Sequence, residues 1–271
     1  MPPMRTLKLT NSNYYSQEAN KAYISVSQYK DFFGSLGQSG CEYQAMAIIN
    51  GEYKKEPTTA MLVGSYIDSW FEGTLEAFKE SKPELFKRDG SLKADYVQAE
   101  SIIERIKRDK KFMQYMSGQK QRIFTGKIFG ADWKCKLDSY IEGKAIVDLK
   151  IVDDIYKSYY HKDTGRLNFI QERGYDFQLA IYQKLVELNT GKLLHCYIAA
   201  ADKGKTTNIE VIEITQKELN AALTGLEYGV KRINLLKKGE AQPEKCGRCD
   251  WCKETKVITK PVLMQDLLGG E

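Results

Sequence analysis

The sequence predicts one α/β domain with helical elaborations and a cysteine-bearing tail. Three observations carry this. Apolar residues recur at helical spacing from Ser91 to Met116 and then switch to period two over 121–152. A helical stretch from Asp176 to Leu188 lies between runs that suit strands. No internal repeat, and no linker rich in Pro, Gly or Ser, divides the 271 residues.

Each element has its own signal. Residues 1–22 are polar and are expected to form a flexible segment. Ser25 or Ser27 suits the cap of a helix through Tyr29, Phe32 and Phe33, stopped by Gly34 or Gly37. A second short helix follows Gly40 and ends at Asn50-Gly51, and Thr58-Thr59 opens a third that runs to Phe71 with Gly73 as its stop. Pro83 and Asp89-Gly90 mark a loop over 80–91. One long helix is expected from Ser91 to Met116, its outer face carrying Arg105, Lys107, Arg108, Lys110 and Lys111. Strands are expected over 121–129, 131–141 and 145–152, divided by Gly130 and by Glu142-Gly143-Lys144. After a tyrosine-rich stretch over 153–175 come the Asp176–Leu188 helix, strands over 193–200 and 208–214, and a helix over about 216–237. The domain is expected over 23–256, with a terminal tail over 257–271.

Composition excludes several classes. No apolar run approaches the ~20 residues of a membrane span, and Met1 to Asn13 lacks the apolar core of a secretory signal. A cytoplasmic protein without a disulfide framework is expected. With only two His, a multi-His metal centre is excluded, and neither His161 nor His195 has a nucleophile motif beside it. Hydrolytic chemistry would fall to carboxylates and Lys. A net charge of +5 permits a polyanionic partner without demanding one.

The stretch Trp133 to Val152 carries the sharpest signal. A three-residue loop at Glu142-Gly143-Lys144 would pair Ile141 with Ala145 and set Asp138 opposite Asp148. Cys135, Leu137, Ile141, Ala145, Val147, Leu149 and Ile151 would then form an apolar face, and Lys136, Asp138, Ile146, Asp148 and Lys150 the other. Like charges opposite one another on a sheet are destabilising. A divalent cation would relieve them, and Mg²⁺ is commonly held by one or two carboxylates. A solvated face of salt bridges explains the same spacing. Two features favour the metal: Gly64, Asp68 and Glu72 share one helix face, Gly64 offering close backbone approach, and Gln178 and Tyr182 stand one turn apart on a later helix.

In order, Gly64-x-x-x-Asp68, Asp138, Asp148-Leu149-Lys150 and Gln178-x-x-x-Tyr182 resemble the PD-(D/E)xK nuclease superfamily, nearest its RecE-like and RecB-like exonucleases, including the exodeoxyribonuclease VIII-like proteins of phages and prophages. The similarity spans about residues 24–256. It implies a restriction-endonuclease-like core, a mixed β-sheet flanked by helices. It implies Mg²⁺ or Mn²⁺ on Asp68, Asp138 and Asp148, and catalytic roles for Asp138, Asp148, Lys150, Gln178 and Tyr182 in hydrolysing phosphodiester bonds of linear DNA. That branch often carries His where this chain has Asp68, which leaves open a nuclease-fold DNA-binding or interaction module with weak or no catalysis. The resemblance also implies a single-strand annealing partner in phage recombination and a homo-oligomer. Tyr156, Lys157 and Arg166 in the tyrosine-rich stretch, and Lys107 and Arg108 on the basic helix face, are candidates for DNA contact.

Cys246, Cys249 and Cys252 stand at C-x2-C-x2-C spacing, which in a cytosolic chain points to metal. Cys41 is a candidate remote fourth ligand, while Cys135 and Cys196 suit buried strand positions. Zinc and an iron–sulfur cluster both take four such ligands. The arrangement resembles the iron–sulfur nucleases of the AddB and CRISPR-adaptation type, which places [4Fe–4S] ahead of Zn²⁺. A zinc-stabilised scaffold without a nucleic-acid role is a further alternative.

Overall fold

Val, Ile and Ala dominate two strands at the centre of the molecule, and both are covered on both faces, as parallel neighbours require. The computed structural model describes residues 7–265. Residues 1–6 of the expected N-terminal segment and 266–271 of the expected tail lie outside the described residues. In chain order the helices are α1 (Gln17–Ala22), α2 (Val26–Phe33), α3 (Glu42–Asn50), α4 (Thr59–Glu72), α5 (Leu75–Glu80), α6 (Ala94–Lys107), α7 (Lys110–Tyr115), α8 (Phe169–Arg173), α9 (Tyr175–Thr190), α10 (Gln216–Ala222), α11 (Leu226–Lys238) and α12 (Asp250–Glu254). The strands are β1 (Gly34–Ser35), β2 (Gln38–Ser39), β3 (Arg122–Ile128), β4 (Ala131–Leu137), β5 (Ser139–Ile141), β6 (Ala145–Val152), β7 (Tyr159–His161), β8 (Gly165–Leu167), β9 (His195–Asp202) and β10 (Ile209–Ile214). Among the described residues no helix is long and apolar enough to cross a membrane.

The central sheet runs β10-β9-β6-β5 and is mixed: β6 and β9 are parallel, and the outer pairings are antiparallel. Side chains alternate between two cores. Ile146, Cys196, Ile198 and Ala200 face a layer with α2, α9 and α11, while Ala145, Val147, Leu149, Ala199 and Ala201 face α4, α6 and α7. This is the mixed sheet flanked by helices that the family resemblance implies.

Both hairpin registers follow from their turns. Phe129 and Gly130 have positive φ, as a two-residue turn between Ile128 and Ala131 needs. Ile141 pairs with Ala145 across the three-residue loop, where Gly143 takes φ 68°. The single apolar face expected from Cys135 to Ile151 is corrected. The strand bends at Asp138, between β4 and β5, and parity inverts there. Trp133, Cys135, Leu137 and Tyr140 pack in the α9 layer, whereas Ile141 packs with Val147 and Leu149.

Other expected elements are also divided. The Ser91–Met116 helix is two helices, because the Asp109 carboxylate accepts from Phe112 N at 2.8 Å and starts α7 afresh. The 216–237 helix breaks before Gly225, which takes φ 80°. The 153–175 stretch holds β7, β8 and α8, the last begun by an Asn168 capping box. Within the N-terminal segment, Ser16 caps α1, Ala19 is buried, and Lys134 donates to Tyr14 O (2.6 Å) and Asn20 Oδ1 (2.8 Å).

Candidate active site

The bend at Asp138 and strand β6 together build an acidic cleft. Asp148 and Lys150 are two residues apart and share a strand face. Asp148 is only 2% exposed. Its Oδ1 accepts from Gln178 Nε2 at 2.7 Å, while its buried Oδ2 is ion-paired with the Lys150 ammonium. Asp138 reaches the same place from the bend, where its Oδ2 accepts from Leu149 N at 2.9 Å. From α9, Gln178 also donates to Tyr182 Oη at 3.2 Å. Helix α4 brings Asp68, and one turn later Glu72, which accepts from Gln121 Nε2. Asp68, Asp138, Asp148, Lys150, Gln178 and Tyr182 line one cleft of about 370 Å³.

Carboxylates crowd the cleft, and their protonation reflects it. Burial, with the nearby Asp148 charge, pushes Asp138 up to about 7 against the opposing pull of Lys150. Burial raises Asp68 well above the usual carboxylate range, and Asp138 adds to it. Burial would lower Lys150, but Asp148 and Asp138 outweigh it, so its pKa is raised and the ammonium stays charged. Burial, then the Asp148 charge, holds the Tyr182 hydroxyl protonated. The donor set fits a hard divalent cation: it is all oxygen, and three aspartates are crowded together so that Asp68 and Asp138 resist ionisation until a cation offsets the charge.

Beside Lys136, which the hairpin register already sets on the Asp138 face, the site and its edge hold residues without a sequence signal. Lys136 and Tyr15 line the cleft, with the Lys136 ammonium 4.5 Å from the centre of the Tyr15 ring. Tyr15 comes from the segment expected to be flexible. Tyr175 lies between Lys150 (4.8 Å) and Lys30 (5.2 Å), and Lys30 donates to Arg173 O. Burial, aided by Lys150, lowers Lys30 to about 8. No motif spacing marks Tyr15, which lines the cleft, or Tyr175 and Lys30, which stand behind Lys150; tertiary packing alone brings them there. Gly64 departs from expectation, because a Cβ there would meet nothing within 4 Å.

The residues expected to contact DNA lie outside the cleft lining. Lys107 pairs with Glu104 and lies over the Trp70 ring, and Arg108 is exposed beside it at the end of α6. Tyr156 donates to Glu210 Oε1 at 2.7 Å, Lys157 covers the Tyr159 ring, and Arg166 is exposed on β8. The two histidines are also elsewhere, His161 on Glu172 and His195 on Glu213.

A second cluster joins the chain ends. Cys41 caps α3, and Cys246, Cys249 and Cys252 lead into and occupy α12. Their four Sγ atoms lie within 4.8 Å of one another. Among the described residues this is the group of at least three possible ligands whose donor atoms converge so closely. Cys135 and Cys196 are buried in strands, as expected.

A family model described as a PDDEXK-like domain of unknown function (DUF3799) matches residues 25–255. Among solved structures, the chain is similar to the crystal structure of a "putative exonuclease" from Eubacterium rectale. The two share 50% identity over 98% of this chain and 100% of that one, with a TM-score of 0.95. No curated protein matches the chain.

Proposed function

The chain belongs to the PDDEXK-like family that its residues 25–255 match, and from that premise we propose that it is a Mg²⁺- or Mn²⁺-dependent nuclease acting on linear DNA from its ends. The observation that carries the proposal is the meeting of Asp68, Asp138 and Asp148 with Lys150 in one cleft. The likeness to the Eubacterium rectale protein supports the exonuclease assignment.

Asp138 and Asp148, with Asp68 across the cleft, would hold the cation. When bound, it supplies Lewis-acid polarisation of the phosphoryl group and a more acidic water. Gln178 fixes the Asp148 carboxylate through Oδ1, and Lys150 meets it at Oδ2. Lys150 keeps its proton and offsets negative charge developing on the phosphate. Tyr182 keeps its hydroxyl proton beside Gln178 and can donate to a phosphate oxygen. Asp68 adds a third carboxylate, which is compatible with a cation where a His would be neutral. Lys107, Arg108, Tyr156, Lys157 and Arg166 would contact the DNA backbone or stack on bases outside the cleft. A role in phage or prophage recombination, beside a single-strand annealing protein, rests on the resemblance to RecE-like enzymes.

The test is degradation of end-labelled linear duplex with Mg²⁺ or Mn²⁺, beside a closed circle of the same sequence. The linear DNA is degraded and the circle survives. Asp138→Asn and Lys150→Ala each lose about 100- to 1,000-fold in rate. Full activity in both variants overturns the site.

A further inference from the structure

We propose that Cys41, Cys246, Cys249 and Cys252 hold one tetrahedral zinc ion that staples the start of α3 to the C-terminal segment, in place of an iron–sulfur cluster. Sulfur spacing decides the number of metal ions. Zn–S bonds of about 2.3 Å at tetrahedral angles set the sulfurs about 3.8 Å apart. Cys41 and Cys252 Sγ stand 3.7 Å apart and Cys246 and Cys252 Sγ 4.0 Å, with all four within 4.8 Å. These distances are far beyond a disulfide bond. A four-iron cluster needs its thiolates much farther apart, because each sits on its own iron at a separate corner of the cube. The space between these sulfurs takes one ion.

The backbone independently prepares the sulfurs for it. Arg248 N and Cys249 N donate to Cys246 Sγ at 3.4 and 3.3 Å, and Cys252 N donates to Cys249 Sγ at 3.4 Å. Gly247 takes φ 71°, the left-handed turn that lets two amides face one sulfur. Such donors stabilise thiolates and orient them toward a metal. Four thiolates around a dication leave net negative charge, and Lys245, Arg248 and Lys253 lie next to the cysteines in the sequence.

The rest of the junction is ordered without the cysteines. Arg232 grips Glu42 through Nε (2.8 Å) and Nη2 (2.6 Å), and Glu42 Oε2 accepts from Glu244 N at 2.9 Å. Tyr43 N donates to Glu244 O at 3.0 Å. Trp251 lies against Tyr43 and Tyr53. The ion adds a cross-link between positions more than 200 residues apart, where closing the loop costs the unfolded chain most. None of these cysteines lines the acidic cleft, so the zinc is structural, and the proposal stands or falls apart from the nuclease assignment.

The test is the metal and acid-labile sulfide content of the full chain, purified anaerobically from cells supplied with both iron and zinc. One zinc per chain and no sulfide is the expected result. Iron with matching sulfide, or no metal at all, overturns the proposal. Cys246→Ser, at an exposed ligand, takes the zinc content from one toward zero, while Cys196→Ala leaves it at one. Limited proteolysis gives a second readout: cleavage within 240–256 becomes faster in Cys246→Ser than in the parent. Unchanged zinc content or unchanged cleavage in Cys246→Ser overturns the proposal.

Discussion

Between about pH 4 and 7 the Asp138 carboxyl holds its proton more tightly in the folded chain than in the unfolded one, because burial and Asp148 raise it from 3.8 to about 7. The folded state then binds more protons, so stability falls as pH rises through that window and levels off above it. Asn at 138 cannot lose a proton and keeps an oxygen for Leu149 N. In chelator, Asp138→Asn should therefore melt above wild type by a margin that grows from pH 4 to 7 and reaches about 5 °C. Added Mg²⁺ should narrow the margin, since it stabilises the charged wild type. A margin independent of pH would contradict this account. Gln178 gives a second prediction. Gln178→Ala frees Asp148 Oδ1 and should weaken Mn²⁺ binding about 10- to 100-fold by calorimetry. Asp138, Asp148 and Lys150 were legible in the sequence because one loop length fixes their register. Tyr15, Tyr175 and Lys30 were not, since nothing in local spacing reports which distant helix or segment will close over a strand.

Helix α4 shows how an element serves the cleft. Its cap, Thr58, its stop, Gly73, and its acidic face were all readable from local chemistry. The role of Gly64 was not, because close approach depends on what lies opposite. A Cβ there enters open space one turn before Asp68, and Gly in a helix costs about 0.5–1 kcal/mol relative to Ala. Gly64→Ala should raise the melting temperature by about 2–4 °C. If the DNA backbone passes along this turn, the same change raises the KM for DNA and leaves kcat alone, which steady-state kinetics separates. The bend at Asp138 is the converse case. Period-two patterning presumes an unbroken strand, and one bent residue moved Cys135 and Leu137 to the opposite layer from Ile141. The Asp138 carboxylate takes Leu149 N in the β6 ladder at that point, so the break in regularity is what brings it beside Asp148.

At the scale of the whole molecule, buried Lys134 and half-buried Lys237 tie the N-terminal segment to the sheet and helices. Polarity alone predicted flexibility over 1–22, and such polarity cannot reveal that the partners are ammonium groups more than 100 residues away. Lys237 donates to Asn20 O (2.9 Å), Tyr23 O (2.8 Å) and Gln28 Oε1 (2.9 Å), which matches the three donors of an ammonium to three acceptors. Lys134 holds Tyr14 O and Asn20 Oδ1 from β4. The segment so held places Tyr15 at the cleft, against Lys136. Lys237→Met keeps the apolar stem and removes all three donors, so Tyr23 O and Gln28 Oε1 lose theirs while Asn20 O keeps Gln28 Nε2. That should cost about 2–4 kcal/mol and lower the melting temperature by about 5–15 °C. Below that temperature the rest of the chain stays folded, because the central sheet and both core layers do not depend on α1. Limited proteolysis should then cut first within 7–23, and nuclease activity should fall with the loss of Tyr15 from the cleft while zinc content stays at one. If cleavage instead begins elsewhere, or activity survives release of the segment, the N-terminal residues are a structural cover and Tyr15 has no part in binding DNA.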